Sequence, residues 1–236
     1  MKALFISDAH LRMPQDANYQ RLLEFLDEQQ DLDGLFLLGD IFELWIGYDH
    51  LVFAAYLPLL ERLRRFSEQG TRLYFTEGNH DFLLGPYFRE TLQCHIITEQ
   101  QIISWDGQRL LLCHGDLVRP ATGYKLLRGL WRSGFARCLM RVIHPDLVWR
   151  FGLWLSDKSL KKRPLNKEKD PSAWLRTFCE HQPEPFDLMI CGHFHYPVTL
   201  QDQSPRIVAL GDWQSRGAYL FLEDGRITSG TRTGSS

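Results

Sequence analysis

Apolar and polar residues alternate along the first third of this chain in blocks of two lengths. Short apolar runs at residues 4–6, 35–38 and 72–76 each stop at a polar cluster, a pattern typical of buried strands. Between them, residues 19–30 and 51–69 place apolar side chains at helical spacing. Strand, helix and strand in turn favour parallel pairing with right-handed crossovers, so we expect an α/β fold.

The rest of the chain follows a different pattern. Residues 102–105 and 109–113 flank Asp106-Gly107, a dipeptide typical of two-residue hairpin turns. After Asp116 the apolar residues keep helical spacing for about 50 residues, which predicts a helical insertion. Three further strands are predicted in the last third, at residues 187–191, 206–210 and 218–222.

The composition is that of a soluble globular protein, with 236 residues, of which 44% are hydrophobic and 24% charged. This length suits one domain, or one domain with an insertion. Five scattered cysteines form no C-x-x-C pair, which favours free thiols in a reducing cytoplasm. The first residues lack signal-peptide features, and no apolar run reaches the roughly 20 residues that cross a bilayer. We expect an intracellular protein that meets a membrane only from the side.

Five clusters of potential metal ligands appear, nearly all just after a predicted strand. They are Asp8-Ala9-His10, Gly39-Asp40, Gly78-Asn79-His80-Asp81, His114-Gly115-Asp116 and Gly192-His193-Phe194-His195. Because ligands bind beyond the carboxyl ends of strands in open α/β sheets, these clusters should converge in space. Imidazole and carboxylate ligands suit Mn, Fe, Zn or Ni, and a carboxylate can bridge two cations. Asp40 is the expected bridge, and Asn79 offers a neutral oxygen.

Each cluster has a commonplace interpretation when it stands alone. An Asp-x-His sequence after a strand is mostly chance or a helix cap, Gly-Asn-His-Asp is more often a turn, and His-x-His is consistent with a surface pair. Five such clusters in this order are very unlikely to arise together by coincidence. The sequence therefore predicts a metal site.

Together the five motifs resemble the calcineurin-like metallophosphoesterase superfamily, from Asp8 to His195. The resemblance implies a four-layer α/β/β/α sandwich that binds two divalent cations. It assigns one cation to Asp8, His10, Asp40 and His195. It assigns the other to Asp40, Asn79, His114 and His193. It also implies that His80 contacts the phosphoryl group and protonates the leaving group, and that Asp81 orients His80 through a hydrogen bond.

Positive charge is concentrated in the predicted helical insertion. Residues 119–170 contain 13 Lys or Arg against 4 Asp or Glu, although the whole chain has a net charge of −2. Aromatic residues lie among the basic ones, at Trp131, Phe135, Trp149, Phe151 and Trp154.

Two interpretations of this insertion remain open. In the first, the aromatic residues pack on the sheet and the basic residues form a solvated face. In the second, the insertion is a lid suited to a substrate with an anionic head and an apolar tail, and to an anionic membrane surface. Nucleic acid is not expected as a partner, because the basic residues lie on apolar helices.

Longer motifs narrow the resemblance. Residues 39–47 read G-D-I-F-E-L-W-I-G, and residues 78–85 read G-N-H-D-F-L-L-G. These strings are similar to the UDP-2,3-diacylglucosamine diphosphatase family of lipid A biosynthesis, and the resemblance covers nearly the whole chain. It implies hydrolysis of a lipid-linked nucleotide sugar at its α-phosphorus, with release of UMP and 2,3-diacylglucosamine 1-phosphate. Manganese is the implied metal, and the insertion is implied to receive the two acyl chains.

This narrower resemblance also implies substrate contacts and a location. The implied substrate-binding residues are Asn79, His80, Tyr124, Arg128, Ser156 and Lys158. We expect a core of residues 1–118 and 183–228, a lid over residues 119–182 and a disordered tail over residues 229–236. The expected location is the cytoplasmic face of a bacterial inner membrane, with no obligate protein partner.

Two departures from the family pattern keep other substrates open. The best-known branch has arginine where this chain has His80, and its segment after the His-Gly-Asp motif is acidic, whereas this chain reads Leu117-Val118-Arg119-Pro120. A metallophosphoesterase for another nucleotide diphosphate or phosphodiester is therefore the alternative. A non-catalytic scaffold on the same fold is disfavoured, because His10, Asp40 and Asn79 are all present.

Overall fold

Two β-sheets lie face to face, and helices cover the outer face of each. The structure is a computed structural model that describes residues 1–120, 123–160, 170–201 and 204–233. The strands are β1 (Lys2–Ile6), β2 (Gly34–Leu37), β3 (Arg72–Thr76), β4 (His95–Ile97), β5 (Gln100–Trp105), β6 (Gln108–Cys113), β7 (Leu188–Cys191), β8 (Val198–Leu200), β9 (Arg206–Ala209), β10 (Ala218–Glu223) and β11 (Arg226–Thr231). The helices are α1 (Ala17–Asp27), α2 (Leu57–Glu68), α3 (Tyr124–Trp131), α4 (Gly134–Val142), α5 (Pro145–Leu160), α6 (Ser172–Glu180) and α7 (Trp213–Arg216).

Parallel pairs form the centre of both sheets. The first sheet has the order β11-β10-β1-β2-β3-β4, and the second has the order β5-β6-β7-β9-β8. Strands β1 to β4 pair in parallel, as the alternation of strands and helices predicts. In the second sheet, β6 pairs in parallel with β7, and β7 with β9. The carboxyl ends of parallel neighbours therefore share one edge of each sheet.

Strand β1 shows how the sequence pattern produces two layers of core. Successive side chains of a strand point to opposite faces of its sheet. Leu4 and Ile6 belong to the apolar cluster that α1 and α2 cover, whereas Ala3 and Phe5 belong to the cluster between the two sheets. Both faces of β1 are buried, which explains why its sequence is a continuous apolar run.

A third apolar cluster lies outside the second sheet. Leu175 and Cys179 of α6 pack there against Met189 and Ile207. The layers are therefore helices, first sheet, second sheet and helix, and the predicted four-layer α/β/β/α arrangement is confirmed.

The position of α6 corrects the predicted extent of the lid. Residues 172–180 lie inside the range expected to form the lid, yet α6 is part of the core. Leu175 and Cys179 are four residues apart, so they share one helix face, and that face is buried on the second sheet. Helices α3, α4 and α5 form the insertion before it. The part of the predicted lid at residues 161–169 lies outside the described residues.

The carboxyl-terminal segment is a second correction. Residues 229–231 were expected to be disordered, but they belong to β11, which pairs with β10 from Ala218↔Thr231 to Glu223↔Arg226. The turn residues Asp224 and Gly225 have φ of 48° and 76°, the left-handed values that a two-residue hairpin turn requires. An edge strand needs only one hydrogen-bonded neighbour, so small polar residues are sufficient here. Residues 234–236 lie outside the described residues.

Among the described residues, no helix is long and apolar enough to cross a bilayer.

Candidate metal centre and adjoining cavity

The predicted ligand clusters meet at one edge of the two sheets. The side chains come from the loops after β1, β2, β3, β6 and β7, and they are Asp8, His10, Asp40, Asn79, His114, His193 and His195. Backbone hydrogen bonds join the loops to one another, with the His10 amide donating to the Asp40 oxygen at 2.9 Å and the Gly192 amide donating to the His114 oxygen at 2.8 Å. The expected convergence of these distant motifs is therefore present.

Many of these residues adopt a backbone conformation that L-amino acids rarely use. Positive φ values between 46° and 71° occur at Asp8, His10, Asp40, His193 and His195. Asp and His are enriched among non-glycine residues in this region, but each such residue still costs about 1–3 kcal/mol. Strain of this kind clusters at functional sites, where the surrounding structure holds it in place.

The first group of ligands consists of Asp8, His10 and His195. One potential ligand atom from each lies within 4.8 Å of the others. Nε2 of His195 is 3.4 Å from Oδ1 of Asp8. The Asp-x-His motif after β1 and the second histidine of the His-x-His motif therefore build one site together.

The second group consists of Asp40, His114 and His193, whose potential ligand atoms also lie within 4.8 Å of one another. Nε2 of His114 is 3.4 Å from Oδ2 of Asp40 and 3.2 Å from Nδ1 of His193. Nδ1 of His114 donates a hydrogen bond to the Leu38 oxygen at 2.8 Å, so Nε2 is the nitrogen that faces the site.

Asp40 lies between the two groups. Its Oδ2 atom is 3.4 Å from Nε2 of His114 and 3.9 Å from Nε2 of His10. Glycine at position 78 makes this placement feasible, because a Cβ there would lie 2.2 Å from Oδ1 of Asp40. The geometry fits the predicted role of Asp40 as the bridging carboxylate.

The chemistry of the donor atoms tests whether cations fit these groups. Oδ1 of Asp8 and Nε2 of His10 are buried and have no hydrogen-bond partner among the described residues. Buried polar atoms are rarely left unpaired in a native protein, and both atoms point into the first group. Carboxylates, imidazoles and an amide form a donor set that suits first-row divalent metals. When bound, two such cations supply a water of lowered pKa and neutralise charge on phosphoryl oxygens.

Carboxylates also face the outer nitrogens of two candidate ligand histidines. Nδ1 of His10 lies 3.4 Å from Oε2 of Glu43, and Nδ1 of His195 lies 3.9 Å from Oδ1 of Asp212. The Glu43 carboxylate is close enough to orient His10 and fix its tautomer, whereas Asp212 is too far from His195 for a direct hydrogen bond.

Burial and charge shift the titration of the site. Burial lowers the pKa of His10, but the Glu43 hydrogen bond and the charge of Asp40 outweigh it and raise the pKa to about 8. Burial raises the pKa of Asp40, but the neighbouring histidines outweigh it and hold that pKa well below its usual range. Burial and the charge of His114 lower the pKa of His193 to about 3. These opposite shifts show closely packed, strongly interacting charges.

His80 lies beside the metal groups and faces the cavity described below. Its amide donates a hydrogen bond to Oδ1 of Asp40 at 2.9 Å. Its Nδ1 lies 3.0 Å from the backbone oxygen of Glu43, which can only accept, so Nδ1 carries a proton. Nε2 is then the ring nitrogen that can exchange a proton with a substrate.

The hydrogen bonds of Asp81 correct the predicted contact with His80. Both carboxylate oxygens of Asp81 accept from backbone amides, those of Asp40, Ile41, Phe42 and Gly78, at 2.7–3.2 Å. Burial and the charge of Asp40 raise the pKa of Asp81 to about 7, although the amide donors oppose the rise. Asp81 therefore holds the loop that carries Asp40, and His80 takes its orientation from the Glu43 oxygen.

A cavity of about 720 Å³ begins at Asn79 and His80 and extends beneath the lid. The polar residues of its wall are Glu43, Asn79, His80, Tyr124, Arg128, Arg132 and Ser156, and of these Glu43 and His80 contact residues of the metal groups. Farther out its wall is apolar and comes mainly from α3, α4 and α5, with Trp131, Ala136, Leu139, Ile143, Leu147, Val148, Phe151 and Leu155. The cavity thus has one polar end and one apolar end.

Three of the four lid residues predicted to bind substrate line this cavity, and one does not. The Tyr124 hydroxyl donates a hydrogen bond to Oδ2 of Asp116 at 2.6 Å. Arg128 bonds to Glu99 at 2.7 Å, and Ser156 donates to Glu43. Lys158 instead lies exposed on α5.

The Lys158 ammonium stands 4.8 Å from the centre of the Trp154 ring, and Lys158 is absent from the described cavity wall. An exposed cation over an aromatic ring is a common surface arrangement.

The sequence patterns assigned no functional role to two residues of this region. Glu43 contacts His10, and Arg132, which directly follows α3, forms an ion pair with Glu77 while lining the cavity. Glu43 was part of a quoted motif, but the motif alone does not tell where its carboxylate points. Nothing in the local pattern separates Arg132 from the other basic residues of the insertion.

The fold and the paired ligand groups define a metal-dependent phosphoesterase site. Residues 1–197 match the family model of calcineurin-like phosphoesterases, and the chain belongs to that family. The membership predicted from the motifs is confirmed.

Curated relatives cover nearly the full chain. A UDP-2,3-diacylglucosamine hydrolase from Pseudomonas aeruginosa strain UCBPP-PA14 is 31% identical over 240 residues, which cover 94% of this chain and 95% of that protein. The enzyme of the same name from Aeromonas salmonicida strain A449 is 31% identical over 251 residues, covering 99% of this chain and 94% of that protein. A solved structure of an archaeal phosphodiesterase has a TM-score of 0.50 at 14% identity, covering 98% of this chain and 99% of that one, and it supports the fold alone.

Proposed function

We propose that this protein hydrolyses the pyrophosphate bond of UDP-2,3-diacylglucosamine to UMP and 2,3-diacylglucosamine 1-phosphate. The observation that carries the proposal is the cavity that runs from the candidate ligand Asn79 and from His80 into an apolar chamber under the lid. A small phosphodiester needs the metal end only, whereas a diacylated substrate also needs the apolar end. Full-length relatives of this name at 31% identity favour the same substrate.

The seven ligands divide between two cations as the motifs imply. Asp8, His10 and His195 serve the first, and Asn79, His114 and His193 serve the second. Asp40 is shared. We take manganese as the metal, as the family resemblance implies, and the carboxylate, amide and imidazole donors are compatible with it.

His80 acts on the leaving group. Because its Nδ1 proton is held by the Glu43 oxygen, Nε2 is the nitrogen that transfers a proton. Asn79 and His80 form the polar end of the cavity and contact the phosphoryl group there, with Tyr124, Arg128 and Ser156 lining the same end. The guanidinium groups of Arg128 and Arg132 also place positive charge near the diphosphate.

The outer surface of the lid suits an anionic membrane. Leu126 and Val142 are about four-fifths exposed and Trp154 is about half exposed. The basic residues Lys125 and Arg150 are exposed on the same helices. Apolar side chains beside cations are the combination that binds anionic lipid surfaces from the side. We place the protein on the cytoplasmic face of the bacterial inner membrane, where its acylated substrate would be reached directly.

Phosphorus NMR tests the proposal. Manganese-loaded protein is incubated with UDP-2,3-diacylglucosamine in detergent, and the products are identified. UMP with the diacylated sugar phosphate is the expected result. If the protein cleaves a generic phosphodiester but leaves UDP-2,3-diacylglucosamine intact, the proposed substrate is wrong. The assignment as a phosphoesterase would still hold.

A further inference from the structure

The Glu43 side chain connects the metal groups to the lid. It is about 3% exposed and lies in the loop after β2 that also carries Asp40. Oε2 faces His10, whereas Oε1 faces Ser156 of α5, Arg12 and, at a longer distance, His80. A buried carboxylate with charged and polar partners on several elements constrains all of them together.

On the core side, Glu43 faces His10 and His80. Oε2 lies 3.4 Å from Nδ1 of His10, and Oε1 lies 3.7 Å from Nδ1 of His80. Nε2 of His10 is buried without a hydrogen-bond partner among the described residues. The two ring nitrogens of His10 therefore face different partners. Nδ1 faces Glu43, and Nε2 faces the first metal group.

On the lid side, the same carboxylate receives groups that dock α5. Oε1 accepts a hydrogen bond from Ser156 Oγ and lies 3.3 Å from Nη2 of Arg12. Nη1 of Arg12 lies 2.7 Å from Oδ1 of Asp157, the residue that follows Ser156 on α5. Arg12 therefore links Glu43 to the lid helix a second time.

We infer that Glu43 is a positioning residue that couples docking of α5 to the orientation of the metal ligand His10. When α5 is docked, Ser156 and Arg12 fix Oε1, and Oε2 of the same rigid carboxylate then holds His10. Release of α5 frees the carboxylate to turn away from the imidazole. This inference rests on the proposed metal centre but not on the identity of the substrate.

Another buried carboxylate provides a matched control. Glu77 also anchors the lid, through Arg132 at the carboxyl end of α3, and its Oε1 accepts from the Leu83 and Leu84 amides. Its contacts therefore fix the lid without touching a ligand histidine. Glu43→Gln and Glu77→Gln each remove one buried charge that faces the lid.

The first measurement is the affinity for Mn²⁺. It is determined from the electron paramagnetic resonance signal of the free ion. Loss of a carboxylate behind a ligand histidine lowers metal affinity about 10- to 100-fold, and we expect this range for Glu43→Gln. Glu77→Gln should bind Mn²⁺ as the unmodified protein does. An equal loss in both variants would overturn the inference, because any loosened lid would then have the same effect.

The second measurement is hydrogen exchange of α5, detected by mass spectrometry on the metal-free proteins. Glu43→Gln should speed exchange in α5, and Glu77→Gln should speed exchange in α3. Weaker Mn²⁺ binding in Glu43→Gln without faster α5 exchange would remove the coupling and overturn the inference.

Arg12→Met is the decisive variant, because Arg12 links Glu43 to α5 but lies outside the predicted ligand set. Its side chain is 28% exposed, so folding should tolerate the change. We expect faster α5 exchange and Mn²⁺ affinity lowered about 2- to 30-fold, the range for residues that transmit coupling. Unchanged Mn²⁺ affinity would overturn the inference. Neither measurement uses UDP-2,3-diacylglucosamine, so failure of the proposed substrate would be seen separately.

Discussion

The Asp81 carboxylate accepts a hydrogen bond from the Asp40 amide, with Oδ1 lying 2.9 Å from the nitrogen. Three further amides donate to the same carboxylate, and together they fix the loop that places Asp40 between the two metal groups. Asp81 thus acts on the site through the backbone of its neighbours.

Asp81→Asn should lower both stability and metal content. The amide nitrogen of asparagine cannot accept, so buried backbone donors lose their partner at about 1–3 kcal/mol each. We expect a lower midpoint of thermal unfolding in the metal-free protein and a reduced manganese content by elemental analysis. Asp33→Asn, at an exposed position, is the control. If Asp81→Asn lowered turnover but left stability and metal content unchanged, Asp81 would instead act by orienting His80, as the motifs implied.

Asp40→Ala should empty both metal groups. Its carboxylate is the one shared between His10 and His114, so neither group keeps a full set of ligands without it. We expect elemental analysis to show less than one tightly bound metal per chain and no detectable hydrolysis of a chromogenic phosphodiester. Retention of one full equivalent of metal would show that one group is complete without Asp40.

His80→Ala should separate metal binding from proton transfer. The side chain lies outside both predicted ligand sets, while Nε2 is placed to exchange a proton. We expect metal content to stay near that of the unmodified protein and kcat to fall by roughly 10²–10⁴-fold, the usual contribution of a general acid. Loss of metal in this variant would argue that His80 is a ligand.

Metal binding should strengthen as the pH rises. The pKa of His10 is raised to about 8 in the metal-free protein, so at pH 7 most molecules carry a proton on this imidazole. A metal must displace that proton, since only neutral imidazole is a ligand. Burial lowers the pKa of His114, but the charge of Asp40 outweighs it and raises that pKa well above its usual value, so this imidazole must lose a proton as well. Apparent Mn²⁺ affinity should therefore rise about tenfold per pH unit for each displaced proton, through pH 8.

Calorimetry in buffers of different ionisation enthalpy measures the proton release directly. Uptake of manganese at pH 7 should release a proton from His10 and another from His114. Affinity that stays constant between pH 6 and pH 8 would contradict the raised pKa.

Trp131→Ala should affect acylated substrates selectively. The ring lines the apolar part of the cavity, away from the metal groups. We expect a higher KM for UDP-2,3-diacylglucosamine and unchanged kinetics with a small chromogenic phosphodiester. Leu126→Ala is the matched control, because Leu126 lies on the same helix but is 81% exposed and outside the described cavity wall. Equal losses on both substrates would count against an acyl-binding lid.

The sequence predicted the parts of the fold that depend on local patterns. The turn at Asp106-Gly107 was expected from its dipeptide alone, and both residues have the positive φ that the turn requires. The convergence of the Asp8 and His193 motifs followed from a general property of α/β sheets and needed no knowledge of strand order.

The features that the sequence did not reveal depend on distant contacts. The apolar face of α6 has the same helical spacing as the faces of the lid helices. Only its packing on the second sheet shows that α6 belongs to the core. β11 has small polar residues, and only its pairing with β10 makes it a strand. The direction in which Glu43 and Asp81 point depends on loops brought together by the whole fold.

The left-handed backbone at the candidate metal ligands also has a consequence for how this sequence can change. Glycine would relax the chain at His10 or His195, yet it would remove the imidazole that we propose as a metal ligand. Mutations that stabilise the protein and mutations that preserve its chemistry therefore compete at the same residues. At these positions the protein keeps its function by remaining less stable than its fold would allow.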